Sequence, residues 1–335
     1  MEFNPTLFTA NERIPKSPPA IQPIFSDEPR PLWSVMIPVF NCSGFLRQTL
    51  ESVLTQDTGA SQMQIEVVDD GSTDADIEEM VRTIGNGRIS YYRQSKNVGS
   101  LWNFKTCIDR ANGKLVHILH GDDRVRPGFY SSMGNLFNSY PSIGAGFCRY
   151  AYINEQSEFL FNQPKEQGHA GILSNAIERL CERQKIQYAS IVVRREVYER
   201  LGSFYGVEYG EDWEMWVRIA VHYLIGYNPE VLAEYRQHSN SISGQSYLTA
   251  RNMDCLEWVM EIIEKHLPSE KKEPVMLRCR KFYSHYALRV AKSIWVDYRN
   301  KVAVELQIAA ALRLHSDIML TFQIILLRAR MLVGI

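Results

Sequence analysis

Apolar runs that stop abruptly at polar or acidic residues alternate with segments of helical periodicity over residues 33–119. The runs at 33–40, 65–68, 89–92 and 115–119 read as strands, the second and fourth with the β-branched content of strands buried on both faces. Residues 45–54 carry Phe45, Leu46, Leu50, Val53 and Leu54 at helical spacing, and 101–111 read as a further helix. Asp74 is the expected N-cap of a helix whose inner face holds Ile77, Met80, Val81 and Ile84. Such alternation predicts an α/β fold around a mostly parallel, doubly wound sheet.

Past residue 125 the pattern is mixed. Residues 145–153 and 189–193 read as strands and 211–222 as a helix, and from 249 onward helical periodicity dominates. Residues 1–31 hold half of the 14 prolines and show no apolar period, which predicts a flexible, loosely packed extension. The expected organisation is therefore an extension over 1–31, a main domain over 32–248 and a C-terminal helical region over 249–335.

Composition changes this picture little. With 45% hydrophobic and 22% charged residues the chain has the make-up of an ordinary globular protein. A net charge of -1 argues against a broad nucleic-acid-binding surface. Six widely spaced cysteines without a CxxC pair suit thiols in a reducing cytoplasm. The polar N-terminus lacks the layout of a signal peptide. The longest apolar run, 318–327, is closed off by Asp317 and Arg328, well short of the ~18–20 residues a membrane span needs. A cytoplasmic, non-spanning chain is expected.

Candidate chemistry gathers at the strand ends. Asp69-Asp70-Gly71-Ser72 and His120-Gly121-Asp122-Asp123 each follow an apolar run, which places carboxylates at the ligand-binding edge of an open α/β sheet. Asp122 and Asp123 suit a hard divalent cation shared with phosphate oxygens, whereas an acidic turn capping the next element would need no ligand. A carboxylate at Asp69 or Asp70 can accept a hydrogen bond from a base N–H or a ribose hydroxyl. Asn97-Val98-Gly99, with Asn103 four residues after Gly99, either joins this site or is simply a loop leading into the helix over 101–111. His120 is either a structural side chain or a metal ligand. No GxGxxG follows the first strand, so a dinucleotide site lacks its main support.

A second centre is Glu211-Asp212-Trp213-Glu214-Met215-Trp216. Acids at a helix start meet a dipole that depresses their pKa, which suits a base that must be ionised at neutral pH. The two tryptophans either stack on a sugar or pack the core. Arg236 and His238, after an apparent strand, can reach a diphosphate or a metal.

In this order, Ser34–Asn41, Val67–Asp74, Asn97–Asn103, Gly113–Asp123, Glu211-Asp212 and Tyr235-Arg236-Gln237-His238 resemble the family-2 glycosyltransferases of the GT-A fold, over residues 33–245. The resemblance implies a nucleotide-diphospho-sugar transferase sheet flanked by helices, followed by the helical appendage. It also implies transfer of a sugar from a UDP- or dTDP-linked donor with inversion at the anomeric carbon. The nucleotide would be held by Pro38, Val39, Phe40 and Asn41, by Asp69 and Asp70, by Asn97, Gly99 and Asn103, and by Gly121, Asp122 and Arg236. Asp122 and Asp123, with His120 and His238, would hold Mn²⁺ or Mg²⁺; Arg236 and His238 would close over the diphosphate. Asp212 would be the catalytic base, with Glu211 orienting acceptor or donor. The family often has Asp-x-Asp at this strand end, and here the first acid is His120, so one anion is lost. The Gln-x-x-Arg-Trp signature of processive synthases is absent, which favours single-sugar transfer.

Two other classes share parts of this pattern. A nucleotidyltransferase would need the metal pair but no acceptor-side base, and a non-catalytic sugar-nucleotide or glycan-binding module would keep the base pocket alone. The expected partners are a nucleotide-sugar donor and a glycan or lipid-linked acceptor, with no nucleic acid. Leu312, Leu314, Ile318, Phe322, Ile325 and Leu326, near Arg313, Arg328 and Arg330, either lie on the inner face of an anionic membrane or pack on the main domain or a second subunit.

Overall fold

Every residue of β1 (Trp33–Val39) is buried, as the unbroken apolar run predicts for a strand covered on both faces. Parallel to it run β2 (Met63–Asp69) on one side and β4 (Leu115–Ile118) on the other, with β3 (Ser90–Arg93) parallel to β2. Helices Ser43–Leu54, Ile77–Gly85 and Ser100–Arg110 make the crossovers. The computed structural model describes residues 13–25, 29–238 and 242–334.

The second half of the sheet turns it from parallel to mixed. After β5 (Arg124–Val125) come β6 (Ile143–Ile153), β7 (Phe159–Asn162), β8 (Gly171–Ile172), β9 (Ile191–Arg194) and β10 (Leu224–Arg236). The order is β3-β2-β1-β4-β9-β6-β10-β5, with β7 on β6 and β8 on β10. β9 runs antiparallel to both β4 and β6, while β10 is parallel to β6 and antiparallel to β5. The core joins Val35, Ile37 and Val39 of β1 to Leu46 and Leu50 of the first helix and to Phe129, Met133 and Phe137 of the Phe129–Ser139 helix.

Two local expectations change. Asp74 does not cap the Ile77–Gly85 helix: Asp76 does, accepting from the Glu79 N–H at 3.0 Å. Asp74 instead takes the Ser43 N–H at 2.9 Å, at the start of the preceding helix. Both acids suit a cap, and the turn length decides between them. Residues 13–25, within the stretch expected to be loose, are packed: Ile14 and Ile21 are buried, and Pro19 and Pro15 carbonyls accept from Ser203 at 2.8 Å and Gly206 at 2.9 Å. Spaced single apolar residues, rather than a periodic run, anchor this segment.

The chain folds as two compact units. The first comprises the described residues up to 176, 186–208 and 218–237 and contains the sheet. The second comprises 177–185, 209–217 and the described residues from 238. It is built on the helices Arg251–Ile263, Ser269–Tyr298, Lys301–Leu314 and Ile318–Val333. The second unit thus includes two segments that precede residue 249, and the Glu211–His222 helix, found where its periodicity placed it, has residues counted in each unit. Among the described residues no helix is long and apolar enough to cross a membrane.

Candidate active site

In the first unit the carboxyl ends of β1, β2 and β4 converge. Asp69 ends β2 and is fully buried; it accepts from Ser72 N at 2.8 Å, Tyr91 Oη at 2.8 Å and Arg93 Nη1 at 2.5 Å. Asp70 accepts from the N–H groups of Val98 at 2.7 Å and Gly99 at 2.9 Å. Burial raises its pKa despite those two donors. Asn97 Nδ2 donates to the Asp70 carbonyl at 3.0 Å and Asn103 Nδ2 to the Val68 carbonyl at 3.0 Å. Gly99 precedes the Ser100–Arg110 helix with φ +95°, a conformation that favours glycine. Sequence reasoning assigned these five residues to nucleotide binding; here they shape one another, and Asp70 retains free acceptor capacity.

Beside them, the β1 end is tied to both neighbours. The Val39 carbonyl accepts from Asp70 N at 2.8 Å and the Pro38 carbonyl from Gly121 N at 3.1 Å. Asn41, at φ 49°, receives the Thr73 N–H at 2.8 Å and donates its own to Ser72 Oγ at 3.0 Å. Phe40 is 49% exposed, unlike every residue of the strand it follows.

One ligand atom from each of His120, Asp122 and Asp123 lies within 4.8 Å of the others. Asp123 is buried, and burial together with the Asp122 charge pushes its pKa well up, so a nearby cation would stabilise its ionised form. His120 sits between Phe104, stacked at 5.2 Å, and Tyr188 at 4.4 Å. Burial lowers its pKa, which keeps the imidazole neutral, and its Nε2 is buried without a hydrogen-bond partner among the described residues. A neutral imidazole with an orphaned nitrogen beside two carboxylates fits a divalent cation. His238 is not among these three and is counted with the second unit.

The turn carrying these acids is fixed from behind. Thr49 Oγ1 donates to the carbonyls of Gly121 at 3.0 Å and Asp123 at 2.7 Å. A Cβ on Gly121 would meet Cys42 Sγ at 2.8 Å and Val39 Cγ2 at 3.0 Å, so the close approach of β1 requires glycine. Arg236 was expected to close over a diphosphate, but it is buried and its guanidinium is engaged. Nε donates to the Asp122 carbonyl at 2.8 Å, Nη2 to Gln48 Oε1 at 2.9 Å, and Nη1 to the Asn154 carbonyl at 3.0 Å and Ser157 Oγ at 2.9 Å. Its cation also lies 4.7 Å over the Phe45 ring. Gln48, Thr49, Phe104 and Tyr188 went unrecognised in the sequence because each lies in an ordinary helical or apolar context.

In the second unit, Asp212 opens the Glu211–His222 helix. Its Oδ1 accepts from Trp213 N at 2.7 Å and its Oδ2 from Gln184 Nε2. A helix start predicts a depressed pKa, yet burial raises that of Asp212 to about 7, outweighing those donors. Glu211 is buried beside it. Trp213 and Trp216 are core residues rather than exposed stacking platforms: both are buried, and Trp213 Nε1 donates to the Leu180 carbonyl at 2.6 Å. Gln184, the partner of Asp212, had no sequence signal.

This chain is similar to known proteins in sequence and in fold. An uncharacterised protein of Mycobacterium tuberculosis is 25% identical over 236 residues, which is 67% of this chain and 73% of that protein. An uncharacterised glycosyltransferase of Rickettsia typhi is 25% identical over 211 residues, 62% of this chain and 64% of its own, so the chain spans less than two thirds of that relative. A fragment of Staphylococcus aureus TarS (1–349), solved with UDP-GlcNAc, superposes with a TM-score of 0.60 at 16% identity over 84% of this chain and 79% of that fragment. The mannosyltransferase PcManGT of Pyrobaculum calidifontis, solved with GDP-Man and Mn²⁺, gives 0.52 at 16% identity over 98% of this chain and 92% of its own. These two establish the GT-A architecture. Residues 34–202 match the sequence family described as Glycosyl transferase family 2, and with half its length matched this chain belongs to that family.

Proposed function

We propose that this glycosyltransferase moves a single sugar, with inversion, from a UDP- or dTDP-linked donor to a hydroxyl of a glycan or lipid-linked acceptor in polysaccharide or glycoconjugate biosynthesis. The observation that carries the donor side is the clustering of His120, Asp122 and Asp123 within 4.8 Å at the end of the β4 region. The UDP-GlcNAc bound by TarS and the GDP-Man and Mn²⁺ bound by PcManGT support the same reading. The six cysteines are all free, which suits a reducing cytoplasm.

In this reading Asp70, the loop from Asn97 to Gly99 and the β1 end hold the nucleoside, with the half-exposed Phe40 available to the base. His120, Asp122 and Asp123 hold Mn²⁺ or Mg²⁺. When bound, the metal supplies positive charge to the departing diphosphate. Arg236 serves as a brace for Asp122 and Asp123.

Asp212, with a pKa near 7, takes the proton of the acceptor hydroxyl. The acceptor oxygen forms a bond to the anomeric carbon as the bond from that carbon to the diphosphate oxygen breaks, and the bonding pair leaves with the diphosphate. One in-line displacement turns an α-linked donor into a β-linked product, and Glu211 orients the reactants. A sugar-nucleotide-binding module is the second reading, favoured by the neutral His120 in place of an acid.

Nucleotide release from a panel of UDP- and dTDP-sugars, with and without Mn²⁺, tests the proposal on the wild type and Asp212→Asn. Metal-dependent release from one donor, lost in the variant, supports transfer. UDP binding without release, even with candidate acceptors present, supports the binding module instead.

A further inference from the structure

The Ile318–Val333 helix buries Leu320, Ile324, Leu327 and Met331 and leaves a second apolar face outward. At 100° per residue, Ile318, Phe322, Ile325, Leu326 and Val333 share that outer face, and all five are exposed, Ile318 to 91%. The sequence from Ile318 to the end contains no acid. One flank of the face carries Gln323 and Arg330, seven residues apart and so nearly in line along the helix.

Against this flank lies the Ser269–Tyr298 helix, whose Lys292 Nζ donates to Gln323 Oε1 at 2.7 Å. Arg289 lies one turn before Lys292, with its guanidinium 5.5 Å from the Phe282 ring centroid; Arg183 approaches the same ring at 5.2 Å. Burial and then the charges of Arg330 and Arg289 lower the pKa of Lys292, and burial likewise lowers that of Arg289. Among the described residues Arg183, Arg289, Lys292 and Arg330 have no carboxylate partner. Two arginines that the sequence suggested for this surface are instead neutralised: Arg313 pairs with Asp254 and Glu257, and Arg328 with Glu305.

We propose that this surface docks on an anionic phospholipid bilayer. The outer face of the Ile318–Val333 helix enters the boundary between headgroups and acyl chains, and Arg289, Lys292 and Arg330 meet the headgroup phosphates. Unpaired cations along one edge of an apolar face are the complement of such a surface. The inference does not depend on the sugar-transfer reading, because its test has no catalytic readout.

The full-length protein is sedimented with vesicles of pure phosphatidylcholine and of phosphatidylcholine with phosphatidylglycerol. Binding is expected to the anionic vesicles only and to weaken with added salt. The Arg289→Gln, Lys292→Gln, Arg330→Gln triple variant should bind roughly 100-fold more weakly, and Phe322→Ser with Ile325→Ser should abolish binding while far-UV circular dichroism stays unchanged. No sedimentation with anionic vesicles, or equal sedimentation with both kinds at all salt concentrations, overturns the proposal. A lipid-free dimer that these serine substitutions dissociate also overturns it. The lipid and salt comparisons on the wild type stand even if the variants fail to fold.

Discussion

Arg236 holds the acidic turn twice: its backbone N–H donates to Asp123 Oδ1 at 2.8 Å, and its Nε donates to the Asp122 carbonyl at 2.8 Å. The end of β10 thereby fixes the two candidate metal ligands at the end of the β4 region, more than a hundred residues earlier in sequence. Gln48 and the turn at Asn154 to Ser157 hold the far side of the guanidinium.

Arg236→Lys keeps the charge but cannot reproduce a planar fork that reaches four partners. It should lower the stability of the protein by about 3 kcal/mol, as expected when a buried charged network is broken. The donor nucleotide should bind more weakly in proportion to the disorder of the turn. Urea denaturation and calorimetric titration with UDP check the two effects separately.

His120→Asp restores an anion at the first position of the acidic turn. Without metal the variant should melt below the wild type, because a carboxylate replaces a neutral ring between Phe104 and Tyr188. With Mn²⁺ it should gain more than the wild type, since three anions bind a hard cation better than two. Thermal melts with and without Mn²⁺ measure this; an equal Mn²⁺ shift in both proteins would remove His120 from the metal site.

Asp212 carries a pH signature. Its pKa is raised from 3.8 to about 7, so the folded state holds a proton that the unfolded chain releases. The stability this provides is complete below about pH 4 and is lost as pH rises through 7, at about 1.4 kcal/mol per pH unit at most. Asp212→Asn should flatten that slope and exceed the wild type in stability at pH 8. In the wild type, kcat/KM should rise with pH around 7 as the base ionises. Denaturation midpoints and rates from pH 5 to 9 check both directions.

Gly121→Ala introduces a methyl 2.8 Å from Cys42 Sγ and 3.0 Å from Val39 Cγ2. Overpacking of this kind should cost about 1–3 kcal/mol. Because Gly121 precedes Asp122 directly, Mn²⁺ affinity should fall as well. Metal titration of the variant, compared with an alanine at the unobstructed Gly44, separates a local effect from a general loss of stability.

Much of the donor half was legible because its signals are local. Strands covered on both faces leave unbroken apolar runs, and the acids that follow them mark the edge where Asp69, Asp70, Asp122 and Asp123 stand. What bound them to the rest of the fold was not legible. Thr49, Gln48 and Gln184 act through contacts between segments far apart in sequence, and nothing in their neighbours distinguishes them. The same limit explains the wrong sign for Asp212. A helix start is visible in sequence, whereas the burial that overrides its dipole comes from tertiary packing. Similarly, Asp74 and Asp76 are equally good caps, and only the path of the turn assigns them to different helices.

If His120, Asp122 and Asp123 hold a divalent cation for a nucleoside diphosphate, metal and nucleotide must bind together. Calorimetric titration of UDP with and without Mn²⁺, on the wild type and on Asp123→Asn, tests it most directly. Mn²⁺ should tighten UDP binding at least about tenfold in the wild type, as expected when a hard cation is shared by carboxylates and phosphates, and should have no such effect in the variant. UDP binding that is indifferent to Mn²⁺ in the wild type, or equally strengthened in Asp123→Asn, would contradict it.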